Sequence, residues 1–200
     1  MTGPFPSSAP RKLDPLAAVL SYLLPGLGQV MQGRVGKGLL FFVCLYGLFF
    51  YGMWMGKMRN VWLPDVSRLP DAEMPLIGKM GGLPKAVYYR PQFLGQFWIG
   101  VAAWPAILQY YSIDPKAEQR AEPGDEPPKA PIVGHYMQAP NETELNQLQR
   151  DGDKRWDLGW VYTVIAGVLN ILVIYDALAG PVVRDDESTD PASTGTGGAA

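Results

Sequence analysis

Residues 16–56 read LAAVLSYLLPGLGQVMQGRVGKGLLFFVCLYGLFFYGMWMG, two apolar runs joined at Gln32-Gly33-Arg34-Val35-Gly36-Lys37-Gly38. A helix needs about 20 mostly apolar residues to cross a hydrocarbon core about 30 Å thick. The second run, Leu39–Met55, approaches that length, and Trp54 at its end suits a membrane interface. The first, Leu16–Met31, falls short and is broken at Pro25-Gly26, because Pro25 removes a backbone donor and clashes with the preceding turn. The stretch therefore predicts a membrane hairpin whose first arm is either a kinked spanning helix or a half-helix. Backbone exposed at such a break needs partners from protein or water, and Gln29 and Gln32 stand just beyond it. Gly33, Gly36 and Gly38 suit a tight turn that Arg34 and Lys37 hold at the headgroups. The spacing Gly52–Gly56 reads either as a close-packing point or as a helix end.

Moving outward, the whole chain has 200 residues, is 48% hydrophobic and carries a formal charge of −2. Those averages would suit a soluble domain, but charge is missing from 38–56, 93–112 and 158–175 and crowded between them. Phe93–Tyr111 (FLGQFWIGVAAWPAILQYY) reads as a third membrane helix kinked at Pro105, with Gln96 and Gln109 solvated near its ends. Leu158–Ala179 reads as a fourth, with small residues at Ala166-Gly167. The expected fold class is an all-α membrane protein with four transmembrane helices, the first broken at Pro25-Gly26, two long polar connections and disordered termini. Its divisions are a disordered 1–15, the hairpin 16–56, a basic Pro-rich connection 57–92 and a third helix 93–111. An acidic linker 112–157 follows, with a short helix near 142–150 capped by Asn141, then a fourth helix 158–180 and a disordered acidic tail 181–200. No periodic stretch in 57–92 is long enough to predict a helix, and its apolar residues, Trp62 and Leu63 among them, are expected against the bilayer or the bundle.

Arg11 and Lys12 ahead of Leu16–Leu24 also resemble a secretory leader. The second apolar run follows so closely that cleavage would leave another membrane segment, so an uncleaved hairpin is the expectation. Basic residues flanking the spans number nine on one side and eight on the other, which does not orient the chain. Asn141-Glu142-Thr143 is a glycosylation sequon that matters only in a eukaryotic secretory setting.

Catalytic chemistry finds little footing. His135 is the single histidine and lies in a linker, and Cys44, the single cysteine, is expected as a small buried hydrophobe. One histidine and one cysteine do not make a zinc site of the usual ligand types. No serine stands in a G-x-S-x-G elbow, and Gly33–Gly38 lacks the first glycine and the Ser/Thr of a phosphate-binding loop. No catalytic, metal or cofactor-binding residue is therefore assigned, no cofactor is expected, and the chain is not read as an enzyme. The polar residues that stand out are Asn170, midway along an apolar span, and Asp176, the one acid within a span. Asn170 is expected to tie the last span to the broken first arm.

The run Leu23-Leu24-Pro25-Gly26-Leu27-Gly28-Gln29, followed by Gln32-Gly33-Arg34 and Lys37-Gly38, resembles TM2-like membrane hairpin domains, with Met31 where an aromatic is common. Residues 158–181 look like the closing span of an uncharacterised bacterial membrane family of the planctomycete type. The resemblance implies a hairpin architecture and a multi-pass protein of the bacterial inner membrane, with no activity to carry over.

Together these features predict a small polytopic membrane scaffold or interaction component. Its partners are the lipid bilayer and a membrane protein or a second copy of the chain, not nucleic acid, which would want a basic face. The alternative is a transport or channel component. In either case the residues to watch are Pro25, Gly26, Gly28, Gln29, Asn170 and Asp176.

Overall fold

The computed structural model describes residues 13–66, 69–70, 72–74, 78–112, 134, 136–140, 146–147, 150 and 154–181. The terminal segments, most of the acidic linker with Asn141, and His135 lie outside them; of the short helix expected near 142–150, the described residues 146, 147 and 150 are helical.

The first arm is two short helices rather than one kinked one. Helix α1 (Pro15–Leu23) starts where Asp14 caps it, its Oδ1 accepting from Ala17 N at 3.1 Å, with Pro15 in the first turn. Nine residues give a rise of about 14 Å, half of a bilayer core. Leu24 then goes extended, as a residue before proline does, and Gly26 turns the chain through the left-handed region at φ 86°. Helix α2 (Leu27–Met31) runs back along α1, bringing Gly28 against the carbonyl of Ala17 and Gln32 to Asp14. It ends in a Schellman motif, in which Arg34 N donates to Gln29 O and Gly33 N to Val30 O. Only then does the long helix α3 (Val35–Met55) begin.

After α3 the chain makes a two-stranded antiparallel hairpin, β1 (Ala72–Met74) with β2 (Gly78–Met80), in which Glu73 lies opposite Lys79. Helix α4 (Gly82–Tyr89) follows. Both lie in a region where no helix was expected, and both are too short to announce themselves by periodicity.

The expected single helix 93–111 is also replaced by a broken one. It consists of α5 (Gln92–Phe97), a 3₁₀ turn at Gly100–Ala102 and α6 (Trp104–Ser112). The break falls at Gly100, with φ 83°, rather than at Pro105, which sits harmlessly in the first turn of α6. Helix α7 (Lys154–Ala179) closes the fold and begins four residues earlier than its apolar run.

Thus among the described residues two helices, α3 and α7, are long and apolar enough to cross a membrane, and only 28% and 33% of their most apolar stretches are buried in the protein. They pack antiparallel, Lys37 beside Asp176 at one end and Gly52 against the backbone of Gly159 at the other. The Gly52–Gly56 spacing is thus both a packing contact, against Gly159, and the end of α3, which Gly56 caps. The end marked by Asp14 and Asp176 is called the near end, and that marked by Gly52 and Gly159 the far end. The α1–α2 hairpin enters and leaves at the near end. The α5–α6 hairpin does so at the far end. Gln96 of α5 meets Thr163 and Asn60 there, and Tyr110 of α6 shares a cavity with Leu63 of the connection after α3 and Leu83 of α4.

Buried apolar residues from α3 to α7 and the connections between them, including Phe49, Met53, Val61, Leu63, Phe93, Ile99 and Ala166, form one core. Leu63 is inside it, as one of the two expectations for that connection had it. Cys44 is exposed on the outer face of α3, contrary to the expectation of burial.

Candidate functional site

The polar residues singled out in the sequence form a column through the interior, in three layers. At the near end, Asp176 of α7 receives Lys37 Nζ at 2.6 Å and Arg34 Nη2 at 3.0 Å. Gln29 Nε2 donates both to the Asp176 carboxylate at 3.1 Å and to Val173 O at 2.8 Å. Gln32 Nε2 reaches Ala177 O at 2.7 Å and Asp14 Oδ2 at 3.2 Å, and Asp14 N donates to Leu178 O at 2.9 Å. The α1–α2 hairpin is therefore sewn to the last two turns of α7 through Asp14, Gln29 and Gln32. Arg34 and Lys37 were read as headgroup anchors; they neutralise Asp176, the acid near the end of α7.

Within the hairpin, Ser21 is buried. Its Oγ donates to Gln29 Oε1 at 3.0 Å and accepts Gly28 N at 3.1 Å. One hydroxyl thus satisfies an amide exposed by the break and orients Gln29. The sequence signal for Ser21 was its place ahead of the Pro-Gly break, where a hydroxyl can reach freed backbone.

In the middle layer Asn170 is fully buried, and its Nδ2 donates to Ser21 O at 3.1 Å and Trp98 O at 2.8 Å. The first bond ties α7 to the broken first arm, as expected. The second was not foreseen. It joins the tip of the opposite hairpin, where Gly100 presses so closely on the Tyr22 and Leu23 carbonyls that a Cβ there would overlap them. The rings of Tyr22, Phe97 and Trp98 pack around this junction, with centroids 5.5 to 6.1 Å apart.

At the far end Asn60 O accepts Arg90 Nη2 at 2.8 Å and Gln96 Nε2 at 3.1 Å, while Asn60 Nδ2 donates to Gly52 O at 3.0 Å. Gln96 Nε2 also donates to Thr163 Oγ1 at 2.8 Å. The Arg90 guanidinium lies 3.7 Å from the centre of the Trp62 ring, and burial pushes its pKa down to about 9. Gln96 and Gln109, expected in water, are both buried; Gln109 Nε2 donates to Gly134 O at 2.7 Å and Tyr136 O at 2.9 Å.

The amide hydrogens of this column are used, whereas several of its amide oxygens are not, and Arg34 Nη1 and Arg90 Nε are also buried without a partner. Gln32 Oε1, Asn170 Oδ1, Gln96 Oε1 and Asn60 Oδ1 are buried without a hydrogen-bond partner. In a low-dielectric interior each unpaired acceptor costs about 1–3 kcal/mol, so four in one column call for a reason. Among the described residues, no three His, Cys, Asp or Glu side chains gather to hold a metal ion. Of the six residues watched from the sequence, Gln29, Asn170 and Asp176 belong to the column, while Pro25, Gly26 and Gly28 shape the hairpin that delivers Gln29.

The model of a family of unknown function, DUF6677, matches residues 16–189. Neither a curated protein nor a solved structure matches the chain.

Proposed function

The chain belongs to the DUF6677 family of unknown function, and from that premise we propose that it is a multi-pass membrane protein acting as a transport or channel component for a small cation or polar solute. In this reading α3 and α7 cross the bilayer, and the two hairpins dip into it from opposite faces. Long, mostly uncovered apolar surfaces on α3 and α7 support the membrane setting. The TM2-like resemblance of residues 16–56 supports a bacterial inner membrane.

The observation that carries the transport reading is the meeting of two half-depth hairpins on Asn170. Irregular backbone at membrane depth is tolerated where protein buries it or where it lines a polar path, and discontinuous helices meeting near mid-depth are a recurrent way to build such a path. The unpaired acceptors on Gln32, Asn170, Gln96 and Asn60 are groups that a passing cation or water would satisfy. The packed tips correspond to a closed state. The scaffold reading rested on small-residue faces, and these are consumed inside the chain, where Gly52 meets Gly159 and Gly95 meets Gly167.

The test is flux into vesicles reconstituted with the purified chain, followed separately for protons, potassium and glycerol. Flux of one of them above protein-free vesicles, altered at least fivefold by Asn170→Asp in a folded protein, supports the reading. Flux of none above the protein-free level sinks it and returns the scaffold reading.

A further inference from the structure

Charge is distributed unevenly along the polar column. At the near end both carboxylates are occupied. Asp176 receives Lys37 and Arg34, while Asp14 accepts Ala17 N at 3.1 Å and Gln32 Nε2 at 3.2 Å. The middle layer, built on Asn170, is neutral. The far layer holds Arg90, 9% exposed, whose guanidinium donates to Asn60 O and stacks on the Trp62 ring. Among the described residues no carboxylate pairs with Arg90. A pKa near 9 leaves its charge in place at pH 7. Arg90 Nη2 and Gln96 Nε2 share one acceptor, Asn60 O, at 2.8 and 3.1 Å, so the guanidinium stands within two hydrogen-bond lengths of the Gln96 amide. A cation in contact with Gln96 would meet this uncompensated charge in a low-dielectric interior, where like charges repel most strongly.

The unpaired polar atoms point the same way. Gln32 Oε1 lies in the near layer, Asn170 Oδ1 in the middle, and Gln96 Oε1 and Asn60 Oδ1 in the far layer. A dehydrated metal cation needs a ring of oxygens at one level to replace its water. Acceptors strung along a column suit hydroxyl hydrogens, each of which needs one. The buried donors without partners, Arg34 Nη1 and Arg90 Nε, one at each end, have no use for a cation at all. A hydroxyl both donates and accepts, and so matches both kinds of atom. We infer that the column selects a small neutral hydroxylated solute of the size and class of glycerol, and that Arg90 is the residue that excludes cations. This selectivity rests on the transport reading.

Vesicles reconstituted with the full chain would be followed at pH 7 for glycerol by light scattering, and for potassium and protons by entrapped dyes. The expected result is glycerol flux above that of protein-free vesicles, with potassium and protons at the protein-free level. Arg90→Gln is expected to raise the ratio of potassium to glycerol flux at least tenfold. Arg90→Lys, which keeps the charge, is expected to hold potassium out. A purely structural role for Arg90 would not sort these two variants by charge. Potassium or proton flux equal to that of glycerol in the wild type overturns the inference without any variant, and it leaves the transport reading standing. Potassium still excluded by folded Arg90→Gln, or admitted by Arg90→Lys, overturns the role of Arg90. Flux of none of the three sinks the transport reading and this inference with it.

Discussion

Asn170 Nδ2 donates to the carbonyl of Trp98 at 2.8 Å, 72 residues away in sequence, and so fixes the tip of the far-end hairpin to the middle of α7. The same nitrogen holds Ser21 O of the near-end hairpin at 3.1 Å. Two segments that enter from opposite ends thus share one amide, and its position sets how far each can reach.

Removing that amide should loosen both tips at once. Asn170→Leu leaves two buried carbonyls without a donor, at about 1–3 kcal/mol each in a dry interior, tempered because interhelical bonds in membranes average nearer 0.6 kcal/mol. A net loss of about 2 kcal/mol is expected in detergent unfolding. Loss below about 0.5 kcal/mol would mean that the tips are held by packing alone.

Glycines of similar appearance should respond in opposite directions. Gly100→Ala must place a methyl on the Tyr22 carbonyl at a φ of 83°, whereas a methyl at Gly47, within α3, meets nothing within 4 Å. The first should cost more than about 2 kcal/mol, from left-handed strain plus displaced backbone. The second should stabilise α3 by about 0.5–1 kcal/mol through helix propensity. Equal effects in paired thermal denaturation curves would contradict the tip contact.

The near-end ion pairs predict a coupling rather than a large single effect. Lys37 and Asp176 are both partly open, with side chains 39% and 32% exposed, so screening reduces their pair. A double-mutant cycle on Lys37→Met and Asp176→Asn should give about 1 kcal/mol of interaction, shrinking in 1 M salt. A coupling indistinguishable from zero at low salt would show that Gln29 and Gln32 hold the hairpin without help from charge.

Arg90 gives a pH dependence whose sign is set by burial. Burial pushes its guanidinium down to about 9 in the fold, well below the ordinary arginine range. Below pH 9 both folded and unfolded chains hold the proton and stability is flat in this group. From about 9 upward the unfolded chain binds the proton more strongly, so this group makes stability rise with pH, by at most about 1.4 kcal/mol per unit. Chemical unfolding between pH 8 and 10.5 should show this upward component in the wild type and not in Arg90→Gln. Parallel curves for the two proteins would refute it.

Features that follow from local chemistry are legible in the chain alone. The uninterrupted apolar lengths of α3 and α7 follow from composition, and the break at Pro25-Gly26 follows from a missing donor and a fixed φ. The need of Asn170 for a partner also follows from one residue in its surroundings. What the tertiary structure alone decided was where the partners came from. Gly100 carries no such signal, because a glycine inside an apolar helix costs only about 1 kcal/mol and is often tolerated. The chain turns there, with Gly100 seated against the Tyr22 and Leu23 carbonyls, nearly eighty residues earlier in the chain. Gln96 and Gln109 looked solvated because each stands near the end of an apolar run. They are buried because Asn60, Gly134 and Tyr136, from connections that carry no pattern, fold back to supply carbonyls. Periodicity and residue type act over a turn or two of helix, whereas hydrogen bonds across the bundle depend on contacts that only the assembled fold brings within 3 Å.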